Sequence, residues 1–309
     1  MIVVAGEALM DLIVGPDGGI SATPGGGPYN TARTISRLGQ PVTFLGRISS
    51  DRFGRDLRAN LARDGVAEDG VIETDDPTTL AVVELDEHGV AAYHFYVDGT
   101  SAAGLTDADA AGVMAVMAAA GTALHVGTLG LVLEPVGTTI ERVVGESDPE
   151  RLVMLDPNCR PSATQDPAAF RARIERIARR ADVVKVSEDD LRFLAVDAGP
   201  DSMIERLLEL GVRVVLRTHG SDDVEIRTRS GRATMAVPAV DVIDTVGAGD
   251  AFGGGFLASW IGAGRGRHDL ASMDLIHDSV GVAVRVAALS CTRPGADPPT
   301  LAELDAFPG

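Results

Sequence analysis

Nine consecutive residues, Asp244-Thr245-Val246-Gly247-Ala248-Gly249-Asp250-Ala251-Phe252, combine residue types whose spacing could do chemistry. Two glycines around one alanine open a segment, 252–261, with helical spacing. Backbone N–H groups at a helix start, reinforced by the helix dipole, form an anion site. Gly247, Ala248 and Gly249 are therefore candidates for holding an anion. Asp250 places a carboxylate inside that first turn, where it can accept a proton from a group attacking the anion. The same pattern fits an ordinary strand-to-helix turn with a first-turn acid. Residues 236–243, just before it, have the composition of a strand.

A second group lies near the start. Thr23-Pro24-Gly25-Gly26-Gly27-Pro28-Tyr29-Asn30 precedes a helical pattern over 31–38. Gly25 and Gly26 permit close backbone approach, and Asn30 both donates and accepts hydrogen bonds, which suits a hydroxyl-rich ligand. Asn30 could equally cap the helix. Asp11 follows the strand expected at 2–5, where the carboxyl end of a parallel strand opens onto the usual ligand edge; it could also be a simple turn acid.

Bulk properties narrow the classes. The chain has 309 residues, 45% hydrophobic and 23% charged, as in a globular protein with a full core. Its formal charge of −18 argues against nucleic acid or an anionic membrane as the main partner. Cys159 and Cys291 make neither a disulfide framework nor a zinc cluster. The first residues carry no basic region, and no apolar run is long enough to span a bilayer, so a cytoplasmic location is expected.

The elements that must position these residues read as an α/β fold. A strand at 42–48 follows the first helical pattern, and Ser50 or Asp51 opens the next helix. Helix-then-strand pairs follow: 108–120 with 123–126, 136–145 with 152–155, and 168–180 with 183–186. Helices at 189–194 and 203–210 precede a strand at 212–217, a hairpin at 224–229 and 233–237, and a final helix at 278–289. Such alternation predicts a mostly parallel sheet with helices on both faces. Strands at 80–85 and 91–97, joined by Asp86-Glu87-His88-Gly89, do not alternate with helices. With the excursion near 12–24 they form a small β lid, about 12–24 and 79–100, on a single domain spanning 1–309.

Taken together, the pieces resemble the ribokinase (PfkB-type) family of carbohydrate kinases. Asp244 to Asp250 resembles its D-T-x-G-A-G-D signature, and Gly25-Gly26-Gly27-Pro28-Tyr29-Asn30 its sugar-binding signature. Asp156-Pro157-Asn158-Cys159-Arg160 resembles D-P-N-x-R, Lys185-Val186-Ser187-Glu188 stands where the family has N-x-x-E, and Thr218-His219-Gly220 resembles T-x-G. The resemblance implies a ribokinase-like fold and transfer of the γ-phosphoryl group of ATP to a sugar hydroxyl. Asp250 would be the base and the Gly247–Gly249 amides the anion hole. It also implies Asp11, Gly25, Gly26, Asn30 and Arg160 at the sugar, and Lys185, Glu188, Thr218, Gly220 and Gly249 at the nucleotide. Glu188 would serve Mg²⁺ through water. Asp244, Val246, Ser290, Arg293 and Gly295 would surround a K⁺ ion.

Two positions depart from the family pattern. Lys185 replaces the asparagine of N-x-x-E, and Pro299 falls near a serine that ligates the monovalent cation in some members. Gly6-Glu7-Ala8-Leu9-Met10-Asp11 and His94-Phe95-Tyr96 resemble the bacterial fructokinases most, so fructose is the expected acceptor. A 2-keto-3-deoxygluconate kinase is the alternative, because Arg160 could serve a carboxylate; ribose and nucleosides rank below it. A catalytically silent sugar or nucleotide sensor on the same fold is a reading of another class, which ATP consumption would separate. An exposed edge or face of the lid makes a lid-to-lid homodimer plausible.

Overall fold

The computed structural model describes residues 1–15, 17–85, 91–112, 121–196 and 198–308. Its strands in chain order begin with β1 (Ile2–Ala5), β2 (Leu9–Val14), β3 (Ile20–Gly25), β4 (Val42–Ser49) and β5 (Val71–Thr74). There follow β6 (Leu80–Leu85), β7 (Ala91–Tyr96), β8 (Ala123–Gly127), β9 (Leu152–Asp156) and β10 (Val183–Ser187). The last are β11 (Val214–His219), β12 (Asp222–Thr228) and β13 (Gly231–Met235). Nine of them form a sheet in the order β13-β12-β11-β10-β9-β8-β1-β4-β5, parallel from β11 to β5, and four form a second sheet, β3-β2-β6-β7. This is the expected α/β architecture, with a mostly parallel central sheet and a smaller β-sheet beside it.

Strand β1 shows why both faces of the large sheet need helices. Val3 and Ala5 enter one core with Ile140 and Ile174 of helices Val136–Gly145 and Pro167–Ala178. Ile2 and Val4 enter the other, with Ile35, Leu61, Phe256 and Val280 of helices Gly27–Arg37, Arg52–Asp64, Ala248–Gly262 and Met273–Cys291. Alternate strand residues point to opposite faces, so a strand apolar at every position must be covered twice.

Connectivity also fixes where a ligand can enter. From β1 the chain runs outward through β4 and β5, then returns to β8 on the other side of β1. The crevice at the carboxyl ends of β1 and β8 is therefore a topological switch point, the usual ligand position in an open parallel sheet.

Several elements differ from expectation. Residues 236–243 are not a strand: β13 ends at Met235 and is the sheet edge. Val242 and Ile243 stay 60% and 66% exposed, and the segment is tied down instead by Ile243 and Asp244 amides on the Cys291 carbonyl. β2 begins at Leu9 and pairs in parallel with β6 as well as antiparallel with β3. The helix after the glycine loop begins at Gly27 with Gly26 as its cap, so Asn30 lies inside it and caps nothing. Asp51, not Ser50, caps the next helix, accepting from the Gly54 amide. The last long helix starts at Met273. The turn expected at 86–89 and most of the helix expected at 108–120 lie outside the described residues. No described helix is long and apolar enough to cross a membrane.

Candidate active site

Helix Ala248–Gly262 carries the site's acid, and its sequence is set by packing. Gly253, Gly254 and Gly255 each cost about 1 kcal/mol of helix propensity relative to alanine. Gly254 and Gly255 are required because this helix lies between Gly27–Arg37 and Met273–Cys291. A Cβ on Gly254 would stand 2.6 Å from the Thr34 Cβ, and one on Gly255 3.2 Å from the Ala283 Cα. Gly247 caps the helix at φ 75°, the left-handed region that glycine adopts without strain. The Ala248 amide is taken by the Thr245 carbonyl at 3.2 Å. The Gly247 and Gly249 amides meet no acceptor among the described residues, so two of the three expected anion-hole donors remain open.

Asp250 is buried, and its Oδ2 accepts from Asn30 Nδ2 at 2.9 Å. Burial pushes its carboxyl up to about 7, against the pull of the Asn30 hydrogen bond. Asn30 and Asp250, 220 residues apart in sequence, are thus one unit. Asn30 Oδ1 is buried without a partner among the described residues.

The sheet supplies charges from below. Register pairs Val184 with Leu155, which sets Lys185 beside Asp156, and Lys185 Nζ donates to Asp156 Oδ2 at 3.0 Å with both groups buried. Burial disfavours the ammonium, but Asp156, Asp190 and Asp250 together hold it charged above its usual range. A Cβ on Gly249 would stand 2.8 Å from Lys185 Nζ. The positive charge is therefore pressed against the helix start. Asp156 Oδ1 has no hydrogen-bond partner among the described residues. His125, on β8, is neutral: burial and the Lys185 charge push it down to about 3.

On the other side of Asp250 stand Arg160 and Asp11. Arg160 Nη1 donates to Asn158 Oδ1 at 2.7 Å, and Arg160 makes no ion pair among the described residues. Asn158 itself has φ 38° and donates to Thr128 Oγ1 at 3.3 Å, and Thr128 has φ 53°. Two non-glycine residues in the left-handed region at the ends of β8 and β9 mark backbone strained at the site. Asp11, on β2 opposite Thr23 of β3, is pushed up to about 6 by burial, partly offset by Arg160. Gly25, on β3, approaches the Asp11 carboxylate closely. Asn30 is bonded to Asp250, the Arg160 charge acts on both Asp11 and Asp250, and Gly26 packs on the Glu7 carbonyl.

Of the expected nucleotide residues, Glu188, Thr218 and Gly220 lie at the carboxyl ends of β10 and β11, where Ser187 pairs with Thr218. Glu188 opens helix Glu188–Ala195, and its carboxylate is held by Arg217 Nη2 at 2.5 Å and Arg192 Nη2 at 3.2 Å. Gly220 turns the chain with open space around it. Among the described residues no group of three or more His, Cys, Asp or Glu could hold a metal. Asp244 Oδ1 accepts from the Val246 amide at 3.0 Å and Oδ2 from the Gly295 amide at 2.8 Å. The Arg293 amide donates to the Ser290 carbonyl, and Ser290 Oγ is buried without a partner. Hydrogen bonds thus join Val246 and Gly295 to Asp244, and Arg293 to Ser290; Pro299 has no hydroxyl.

The structure adds Glu7, Asp156, Thr128 and Asn158 to this region. The D-P-N-x-R segment signalled two of them; nothing in the local sequence marks Glu7 or Thr128.

An open amide pair at a helix start, a held acid beside it and a buried ammonium beneath are the equipment of phosphoryl transfer. The pattern of the pfkB family carbohydrate kinases matches residues 1–303. The fructokinase of Rhizobium leguminosarum bv. trifolii is 34% identical over 84% of this chain and 79% of its own. The structure of Xylella fastidiosa fructokinase with bound ATP is similar at TM-score 0.90 and 27% identity, covering 99% of this chain and 97% of that one. Vibrio cholerae O395 fructokinase with fructose, ADP and calcium ion gives 0.87 and 29%, covering 99% and 98%. Its double mutant with fructose, ADP and potassium ion gives 0.86 and 28%, covering 99% and 97%. The protein is an enzyme of the sugar phosphotransferase class. It belongs to the pfkB family of carbohydrate kinases.

Proposed function

We propose that the chain transfers the γ-phosphoryl group of ATP to a hydroxyl of fructose. The observation that carries this is the Asn30–Asp250 pair, set between an open helix start and the Asp11–Arg160 side of the crevice. A sugar seated against Gly25, Gly26 and Asn30 presents its hydroxyls to Asp11, Arg160 and the free Asn30 Oδ1. Asp250, ionised, accepts the proton of the attacking hydroxyl. The Gly247 and Gly249 amides and the Lys185 ammonium take up charge on the transferring phosphoryl oxygens; one such donor is worth about 3–4 kcal/mol in a transition state. Glu188, Thr218 and Gly220 border the rest of the nucleotide. A Mg²⁺ ion would be held by Glu188 through water and would neutralise charge on the phosphates. Asp244, Val246, Ser290, Arg293 and Gly295 would hold a K⁺ ion behind the helix start.

The second sheet covers the crevice as a lid on a single domain, and closing it excludes water from the phosphates. Fructose is favoured by the named relatives. A 2-keto-3-deoxygluconate kinase is the second reading, because Arg160 makes no ion pair among the described residues and can take a carboxylate.

A coupled ADP-release screen over fructose, 2-keto-3-deoxygluconate, ribose and nucleosides tests this, run in K⁺ and again in Na⁺ or a bulky organic cation. Fructose is expected to lead by well over tenfold, with higher turnover in K⁺. Fructose at background level overturns the assignment, and equal rates in all cations remove K⁺ from the proposed site.

A further inference from the structure

Glu7 is an acid that the proposed chemistry does not use. It follows β1 at the switch point and is 1% exposed. Among the described residues no basic side chain pairs with it; both of its oxygens are taken by backbone. Oε1 accepts from the Gly27 amide at 3.0 Å and Oε2 from the Gly130 amide at 2.9 Å. A buried carboxylate without a cation is costly, and two N–H donors only partly repay it; burial pushes the group up to about 8 despite them.

Those two amides belong to different walls of the crevice. Gly27 starts the helix that carries Asn30, and Gly130 lies in the turn Thr128–Leu131 after β8. The contacts around Glu7 are too close for side chains. A Cβ on Gly26, at φ 108°, would stand 2.6 Å from the Glu7 carbonyl oxygen, and one on Gly130 2.9 Å from the Gly6 Cα. A Cβ on Gly27 would meet Thr128 Oγ1 and stand 3.3 Å from Asp250 Oδ1. The Gly27 backbone, positioned by Glu7, is therefore the surface that Asp250 faces.

We propose that Glu7 is a positioning residue, whose carboxyl group ties the glycine loop to the turn after β8 and so sets the width of the sugar crevice beside Asp250. This rests on the sugar kinase reading of that crevice. The side chain touches no reacting atom; it acts through Gly27 and Gly130.

Glu7→Gln is the test, because it keeps one acceptor and turns the other into a donor facing an N–H. Wild type and variant are assayed for KM of fructose, KM of ATP and kcat, with Tm recorded. We expect the fructose KM to rise at least tenfold while the ATP KM stays within twofold. Unchanged fructose KM, or a parallel rise in both KM values, overturns the proposal. Amide exchange of the wild type covers the case of a variant that does not fold: Gly27 and Gly130 amides should be among the slowest loop amides, and exchange at the rate of exposed loops overturns it. Wild type inactive on every sugar would instead refute the kinase reading, while the exchange result still decides whether the tie exists.

Discussion

The Asp250 carboxyl is held in the folded protein at about 7, against an ordinary value near 3.8. A base must be ionised, so kcat/KM should fall as pH drops through about 7, and a pH–rate profile reads this directly. Asp250→Asn should lower kcat by about 10²- to 10⁴-fold; turnover equal to wild type would remove Asp250 as the base. The linkage sign gives a second expectation. An acid raised on folding favours the native state while protonated, so this contribution is lost as pH rises from 3.8 through about 7. At pH 8 the buried charge is a cost, and Asp250→Asn should melt no lower than wild type there. What the sequence disclosed at this scale was residue type, since the two signatures named Asp250 and Asn30 separately. Their hydrogen bond, the Lys185–Asp156 pair 29 residues apart and the tie at Glu7 arise from strand order, which no local pattern encodes.

Helix Ala248–Gly262 separates two effects of adding the same methyl group. In Gly254→Ala the new Cβ meets backbone-anchored Thr34 at 2.6 Å, and overpacking of this kind costs about 1–3 kcal/mol. A lowered Tm with near-normal kcat per folded enzyme is expected. In Gly249→Ala the new Cβ meets only the end of the flexible Lys185 side chain at 2.8 Å. The ammonium can retreat, so Tm should change little while kcat falls; the reverse pattern in thermal melts and kinetics would contradict both assignments. Element types were legible wherever periodicity was strong, as in the buried parallel strands. The failure at 236–243 is instructive: β-branched composition measures fit to a pleated, half-buried surface. No described strand lies beyond β13 to offer one, and Val242 and Ile243 remain in solvent.

At the scale of the molecule, the second sheet exposes Ile20 at 70% and Tyr96 at 61%, on its two edge strands β3 and β7. Such edges seek partners. A homodimer through this sheet is expected, and the double variant Ile20→Glu, Tyr96→Glu should run as a monomer in sedimentation while wild type does not; identical sedimentation would exclude this surface. The sheet's existence followed from strands that failed to alternate with helices, but the parallel pairing of β2 with β6 had no sequence signal. That pairing has a bearing on how substrate range can change. β2 leaves the central sheet only three residues after β1, carries Asp11, and returns through β3 directly into Gly25. On the proposed reading, the cover and the recognition loop would be one uninterrupted stretch of chain. A graft of residues 9–25 from a relative would import a new ceiling and new hydroxyl contacts in a single transplant, whereas exchanging 80–96 alone would alter the ceiling and leave the contacts native.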